Sequence, residues 1–300
     1  MFRADLFKGH RILITGGGTG LGKAMAGRLL QLGADLYICG RRKSVLDEAA
    51  AELMGRQGGV VKTCAVDLRD AVAADAMIEE IFNDGGPLTG LINNAAGNFV
   101  SRTEDLSSRG FDAVANTVFH GTFYVTHAVG KRWIKGGHKG SILSIVVTWV
   151  WTGSPFVVPS AMSKAGIDVM TKSLAVEWGR YGIRLNAIAP GIFPTEGATA
   201  RLRPGDDPHA RETKENPMRR LGKLNELEEL AAFLLADGCE WLTGQTIAID
   251  GANYLANGAY FTNYMDWTDE QWIQARERIK SMNEKDKALR TVQSPVAPKS

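Results

Sequence analysis

The chain has 300 residues, 44% of them apolar and 23% charged, which is ordinary for a soluble globular protein. A net charge of +2 gives no global field for nucleic acid or an anionic membrane, and no apolar run of about 18 residues offers a membrane span. MFRADLFKGH lacks the apolar core of a signal peptide, and the three cysteines have no metal-ligand spacing, so a reducing compartment, the cytoplasm, is expected.

Apolar runs alternate with helical stretches almost throughout. Arg11–Thr15 (RILIT) reads as the first strand, and a helix follows a glycine cluster from Leu21 to Leu32. ADLYIC is the second strand, with Ser44–Arg56 helical after it. VVKTCAVD is the third strand, before a helix over 71–83. LTGLINNA is the fourth strand, and 111–131 a helix. GSILSIVV is the fifth, 159–181 a helix, and IRLNAIAP the sixth. A Pro/Gly/Arg-rich loop spans 191–218, a helix runs 225–236, and QTIAID is the seventh strand. Near-continuous apolar strands joined by helices predict an all-parallel sheet covered on both faces. Right-handed crossovers then give one α/β domain over 1–251, a doubly wound Rossmann fold of seven strands. Residues 252–300 form an extension, expected to pack one amphipathic helix, 269–280, on the same domain and to fray from Ser294 onward.

Strand one runs directly into Thr15-Gly16-Gly17-Gly18-Thr19-Gly20-Leu21-Gly22, and a helix follows. Strand, glycine turn and helix in that order make a pyrophosphate site, because glycines let the backbone approach and the helix N-terminus favours negative charge. A plain Gly-rich linker is the competing interpretation. Strand two ends at Cys39-Gly40-Arg41-Arg42-Lys43. An NAD-selective site carries an acid here for the ribose diol. None is present, and guanidinium groups suit a 2′-phosphate, so NADP(H) is the expected cofactor. A solvated basic turn is the alternative.

The spacing Thr15-Gly16-x-x-x-Gly20-x-Gly22, then Asn93-Asn94-Ala95-Ala96-Gly97 after strand four and Pro190-Gly191 with Thr195 beyond, resembles the short-chain dehydrogenase/reductase family over 8–251. That resemblance assigns Gly16, Gly18, Thr19, Gly20, Leu21 and Arg41 to the cofactor, with Asp67 and Leu68 at the adenine. Asn94, Ala95, Pro190 and Gly191 join the same site, Ile192 and Thr195 hold the nicotinamide amide, and Asn93 supports the central strand. NNAAGNF, GSPFVVPSAMSK, SLAVEWG and the tail TDEQW resemble more particularly the 2,4-dienoyl-CoA reductase branch. The resemblance implies hydride transfer to the far end of a conjugated dienoyl thioester, a dienolate whose oxygen needs donors, and protonation at the α-carbon.

Lys164 matches the family's lysine at the nicotinamide ribose. Ser160, four residues earlier, stands where most members keep the catalytic tyrosine, so both share a helix face. The mitochondrial dienoyl reductases also have serine there and take their tyrosine from the loop after strand five, fifteen residues before the lysine; here that residue is Trp149. An indole N–H donates a hydrogen bond but supplies no proton, so Trp149 either polarises the thioester or is a hydrophobic lid. Asn98 matches the asparagine that bonds the thioester oxygen, with a turn-forming Asn as the alternative. Asp168 matches the aspartate used by peroxisomal relatives and is the expected acid, working with Lys164 through a water. His120, where the wider family keeps a structural asparagine, is either a relay or a satisfied interior histidine. Arg69 and Arg201 match CoA-contacting arginines, and Phe99 and Ser107 match substrate contacts. Arg201 and Arg203 lie in the 191–218 loop, the expected lid.

The expected function is therefore NADPH-dependent reduction of 2,4-dienoyl-CoA thioesters in unsaturated fatty-acid β-oxidation. Two others stay open: a short-chain reductase of another enoyl or carbonyl substrate, and a non-catalytic NADP(H)-binding protein in which Trp149 marks a trimmed site. The resemblance further implies a homotetramer built on the helices that begin near Phe111 and Pro159.

Overall fold

The computed structural model describes residues 2–195, 210–256 and 266–288. The chain divides into two units, Met1–Tyr254 and Leu255–Ser300. In the first, strands β1 (Arg11–Thr15), β2 (Asp35–Gly40), β3 (Val61–Ala65), β4 (Gly90–Asn93), β5 (Gly140–Ile145), β6 (Ile183–Pro190) and β7 (Thr246–Ile249) form one sheet in the order β3-β2-β1-β4-β5-β6-β7. Every pairing is parallel. The order reverses between β1 and β4, and their carboxyl ends diverge there into a crevice, the usual ligand position in an open α/β sheet. The predicted fold is the one observed.

Both sheet faces are covered, which is why the strands read as unbroken apolar runs. Ile12, Ile14, Leu36 and Ile38 point to the cluster made with helices α1 (Gly20–Gln31) and α2 (Lys43–Gln57). Leu13, Tyr37 and Cys39, one residue out of phase, point to the other face, beside α3 (Ala71–Asn83). Asp70 starts α3 by accepting from the N–H groups of Val72 and Ala73 at 2.9 and 3.1 Å, satisfying donors the helix leaves open.

Two predicted elements change. LTGLINNA contributes only Gly90–Asn93 to the sheet: Leu88 instead offers its carbonyl to the buried Trp133 indole at 2.6 Å, and Asn94 turns away to the glycine loop. The single helix predicted over 111–131 is α4 (Ser108–Ala115), a π-turn (Asn116–His120) and α5 (Gly121–Gly136). The Gly121 N–H reaches the Asn116 carbonyl, five residues back. That extra residue shifts the helical phase. Val114 and Val118 enter a cluster with Val146 and Ile167, whereas Val125, Val129 and Trp133 enter the cluster beside α3. A four-residue helix, α6 (Trp149–Thr152), lies in the predicted loop after β5. Beyond it come α7 (Val158–Trp178), α8 (Ala210–Glu215) and α9 (Leu224–Leu235).

The second unit contains the helix Asp269–Ala288, longer than the predicted 269–280. TDEQW starts it through a reciprocal cap: Thr268 N–H to Gln271 Oε1 at 2.8 Å and Gln271 N–H to Thr268 Oγ1 at 3.3 Å. No helix among the described residues is long and apolar enough to cross a membrane.

Candidate active site

The crevice opens into a cleft of about 1670 Å³, walled by the glycine loop, the ends of β2 and β3, the 94–98 segment, α7 and the 190–195 segment. Its floor is the loop after β1. Gly16 has φ +65° and Gly20 φ +54°, conformations that favour glycine. At Gly17 a Cβ would meet Ile38 at 2.6 Å, and at Gly22 it would meet the Gly16 carbonyl oxygen at 2.5 Å. The loop is fastened from across the crevice. Buried Thr15 Oγ1 accepts from the N–H groups of Asn94 and Ala95 at 3.0 and 2.9 Å. The Asn94 amide donates to the carbonyls of Thr15 and Gly16 at 3.0 and 3.2 Å. Asn94 thus shapes the phosphate loop with its side chain. Neighbouring Asn93 donates to Thr126 Oγ1 at 2.8 Å, tying β4 to α5 as expected of a strand support.

Thr19 precedes the first turn of α1 without a side-chain cap, and that turn holds no acidic residue. Its open N–H groups and the positive end of the helix face a cleft lined by Gly16, Gly18, Thr19, Gly20 and Leu21, an arrangement suited to a pyrophosphate.

At one end of the cleft lie Arg41, Arg42, Asp67 and Leu68. Arg41 and Arg42 are exposed and have no hydrogen bond or ion pair among the described residues. Arg69 does not face this space freely: its Nε lies 2.9 Å from Asp67 Oδ1 and its Nη2 2.5 Å from Oδ2. The Arg69 guanidinium, with a smaller through-space contribution from Arg41, holds the Asp67 carboxyl below the usual carboxylate range. Arg69, expected at the CoA, is thus paired with Asp67 on a half-exposed surface.

The other end contains Lys164, Ser160, Trp149, Asn98 and Thr117. Lys164 is 5% exposed and its Nζ donates to the Ile145 carbonyl. Burial alone pushes its ammonium down to about 8. Ser160, one turn earlier on α7, is 4% exposed and its hydroxyl has no partner among the described residues. Asn98 accepts the Phe99 N–H on its Oδ1 at 2.9 Å, which leaves its amide N–H groups as the free donors. Trp149 begins α6, half-buried, with an indole N–H that has no partner among the described residues. Pro190, Gly191, Ile192 and Thr195 close the far wall. Gly191 must be small there, because a Cβ would lie 2.6 Å from that of Asp250. Thr195 lies 3.8 Å from the Cβ position of Gly20, opposite the start of α1.

Several expected residues are elsewhere. Asp168 does not line the cleft. Its Oδ1 accepts from Thr246 Oγ1 at 2.5 Å and its Oδ2 from Lys172 Nζ at 2.5 Å, so it fastens α7 to β7. Ser107 is the N-cap of α4, accepting from the Gly110 N–H at 3.1 Å. Phe99 is exposed, beside Gly110 rather than on the cleft wall. His120 is exposed against Phe119 and Tyr124, not interior. Arg201 and Arg203, with half of the expected lid, lie outside the described residues. Thr117 was not foreseen. It faces the cleft from the π-turn, and periodicity alone carries no mark of that turn's extra residue.

A family profile described as Enoyl-(Acyl carrier protein) reductase matches residues 16–252. The chain belongs to the short-chain dehydrogenase/reductase family, oxidoreductases built around a nicotinamide cofactor. It is 38% identical over 293 residues to a probable (3E)-enoyl-CoA-producing 2,4-dienoyl-CoA reductase of Caenorhabditis elegans, covering 96% of this chain and 95% of that protein. It is 40% identical over 245 residues to a probable (2E)-enoyl-CoA-producing 2,4-dienoyl-CoA reductase of Bacillus subtilis, covering 81% and 96%. Among solved structures, a putative 2-deoxy-D-gluconate 3-dehydrogenase from Agrobacterium tumefaciens with bound NADP superposes with a TM-score of 0.76 at 28% identity, covering 84% of this chain and 100% of that one.

Proposed function

We propose that this protein is an NADPH-dependent reductase of 2,4-dienoyl-CoA thioesters. One observation carries the reading: a single cleft runs from two unpartnered arginines, past an uncapped helix, to Lys164, Ser160, Asn98 and Trp149. Relatives named as 2,4-dienoyl-CoA reductases and a structural neighbour holding NADP support it.

Arg41 and Arg42 hold the 2′-phosphate, and the first turn of α1 holds the pyrophosphate. Lys164 binds the nicotinamide ribose, and Ile192 and Thr195 bind the carboxamide. The nicotinamide, when bound, supplies the hydride. Asn98 donates to the thioester oxygen as negative charge develops there, and the Trp149 N–H is a second donor at the same oxygen. Two neutral donors in a half-buried cleft stabilise a dienolate without competing for its proton. Phe99, Ser107 and Arg201 are assigned to the acyl-CoA as in the dienoyl reductases. The exposed apolar side chains Phe119 of the π-turn and Phe123 of α5, and Val169 and Val176 on α7, form the faces on which four copies assemble.

The test is a cofactor-absorbance assay with NADPH and a medium-chain trans-2,trans-4-dienoyl-CoA, run beside NADH and a 3-ketoacyl-CoA. Rapid NADPH oxidation with the dienoyl thioester is expected. Oxidation with the ketoacyl thioester alone would move the protein to carbonyl reduction, and silence with NADPH still bound would make it a binding protein.

A further inference from the structure

The tyrosine that would protonate the product is absent, and Asp168 is tied to Thr246 and Lys172, so the proton must come from elsewhere. We infer that Ser160 and Lys164 act together as the acid, Ser160 passing its hydroxyl proton to the substrate and Lys164 replacing it. This inference rests on the dienoyl-CoA reading.

Four observations converge on the pair. Lys164 is the only titratable side chain among the described residues at its end of the cleft. Ser160 lies one turn before it on the same face of α7, and both are at least nine-tenths buried while still lining the cleft. The two serines of this turn behave differently. Ser163 spends its hydroxyl on the Pro159 carbonyl at 2.7 Å, whereas the Ser160 hydroxyl has no partner among the described residues. Finally, Lys164 uses one N–H on the Ile145 carbonyl, and an ammonium carries three.

Among the described residues the ammonium has no counter-ion. On α7, Asp168 and Lys172 neutralise each other. The β5 segment Ser144–Val147 and the 94–98 segment hold no ionisable side chain, nor does the stretch 190–195. Arg109 and Asp112 of α4 and His120 of the π-turn are exposed. Burial is the single cause acting on Lys164, and it brings the group to about 8, within reach of working pH.

Hydride adds to the far end of the diene, and the electron pair moves to the thioester oxygen. As the dienolate collapses, a C–H bond forms at the α-carbon and the Ser160 O–H bond breaks. The same Oγ takes a proton from Lys164, so no free alkoxide accumulates. Lys164 is left as the neutral amine and recovers its proton from water at the cleft mouth.

The experiment compares wild type, Ser160→Ala, Ser160→Thr and Lys164→Arg, each with NADPH and a medium-chain trans-2,trans-4-dienoyl-CoA across pH. NADPH binding is followed separately by fluorescence. Wild-type kcat is expected to fall above about pH 8, where the amine is neutral. Ser160→Ala is expected to lose about a hundredfold or more in kcat, as for removal of a general acid, with NADPH affinity held within about threefold. Ser160→Thr keeps the hydroxyl and recovers most of that loss. Lys164→Arg keeps the charge at all pH values and removes the alkaline fall from whatever activity it retains. Wild-type turnover with an undiminished Ser160→Ala, or a Lys164→Arg profile that still falls near pH 8, overturns the pair alone. A wild type silent toward the dienoyl thioester overturns the dienoyl-CoA reading, and the pair with it.

Discussion

Arg41 and Arg42 lend themselves to a substitution that touches the cofactor and little else. Both guanidinium groups are exposed and neither has a partner among the described residues, so truncation removes nothing that holds the fold together. Exposed substitutions of this kind change stability by about 0.5 kcal/mol or less. A hydrogen bond between charged groups contributes about 1.5–3 kcal/mol, and solvent exposure favours the lower figure. Arg41→Ala should therefore weaken NADPH binding about tenfold, and Arg41→Ala/Arg42→Ala by about 30- to 150-fold. NADH lacks the 2′-phosphate, so its affinity should stay within about twofold. Fluorescence titration of both cofactors at fixed ionic strength measures the ratio, because the contact is partly screened by salt. Equal losses for the two cofactors would refute the 2′-phosphate assignment and show a general effect on the cleft. No loss for either would return the arginines to a solvated turn.

Other perturbations follow from the contacts around the site. Thr15→Val leaves the Asn94 and Ala95 N–H groups without their acceptor, and urea unfolding should show a loss of about 2 kcal/mol or more; a change under about 0.5 would contradict the fastening role. Asp168→Asn should lower the melting temperature by several degrees through its weakened ties to Lys172 and Thr246, while kcat with the dienoyl thioester stays within about threefold. A kcat collapse in a folded Asp168→Asn would reinstate the aspartate as acid. Lys164 titrates at about 8 in the fold against 10.5 unfolded, so the unfolded chain binds more protons between those values. Wild-type stability should therefore rise with pH across that window, with the penalty complete below it. Lys164→Met removes a penalty of about 3 kcal/mol, less the lost bond to Ile145, and should be more stable near pH 7 yet inactive. Denaturation midpoints near pH 7 and pH 10 that move in parallel for both proteins would contradict this.

The sheet was legible because most strands are apolar on both faces and every crossover carries a helix-length pattern. The glycine loop was legible because Gly16, Gly17 and Gly22 stand where a Cβ would strike backbone or strand. Lys164, Ser160, Asn98 and Trp149 were placed by resemblance, and the structure gathers all four on one cleft. Less legible is which side chains the fold commits to partners of their own. Spacing puts Asp168 one turn after Lys164, but Thr246, 78 residues away, claims its oxygen. Arg69 pairs with Asp67 only two residues before it, a contact that spacing permits but does not require. Ser107 looked like a substrate contact, although Ser before a helix is as readily a cap.

The π-turn at Asn116–His120 has an awkward accounting. Tightening it to ordinary i→i+4 bonding with every residue kept would improve the helix locally. It would also rotate everything from Gly121 onward by about 100°. Val125, Val129 and Trp133 would swing out of the α3 layer, and Thr117 would turn away from the cleft. The gain is confined to one turn and the damage spreads through sixteen residues of α5. Point substitution therefore has no downhill path out of this irregularity: only deletion of the extra residue would release it. The bulge is held in place by its neighbours, as a keystone is, though on its own it is the weakest turn of the helix.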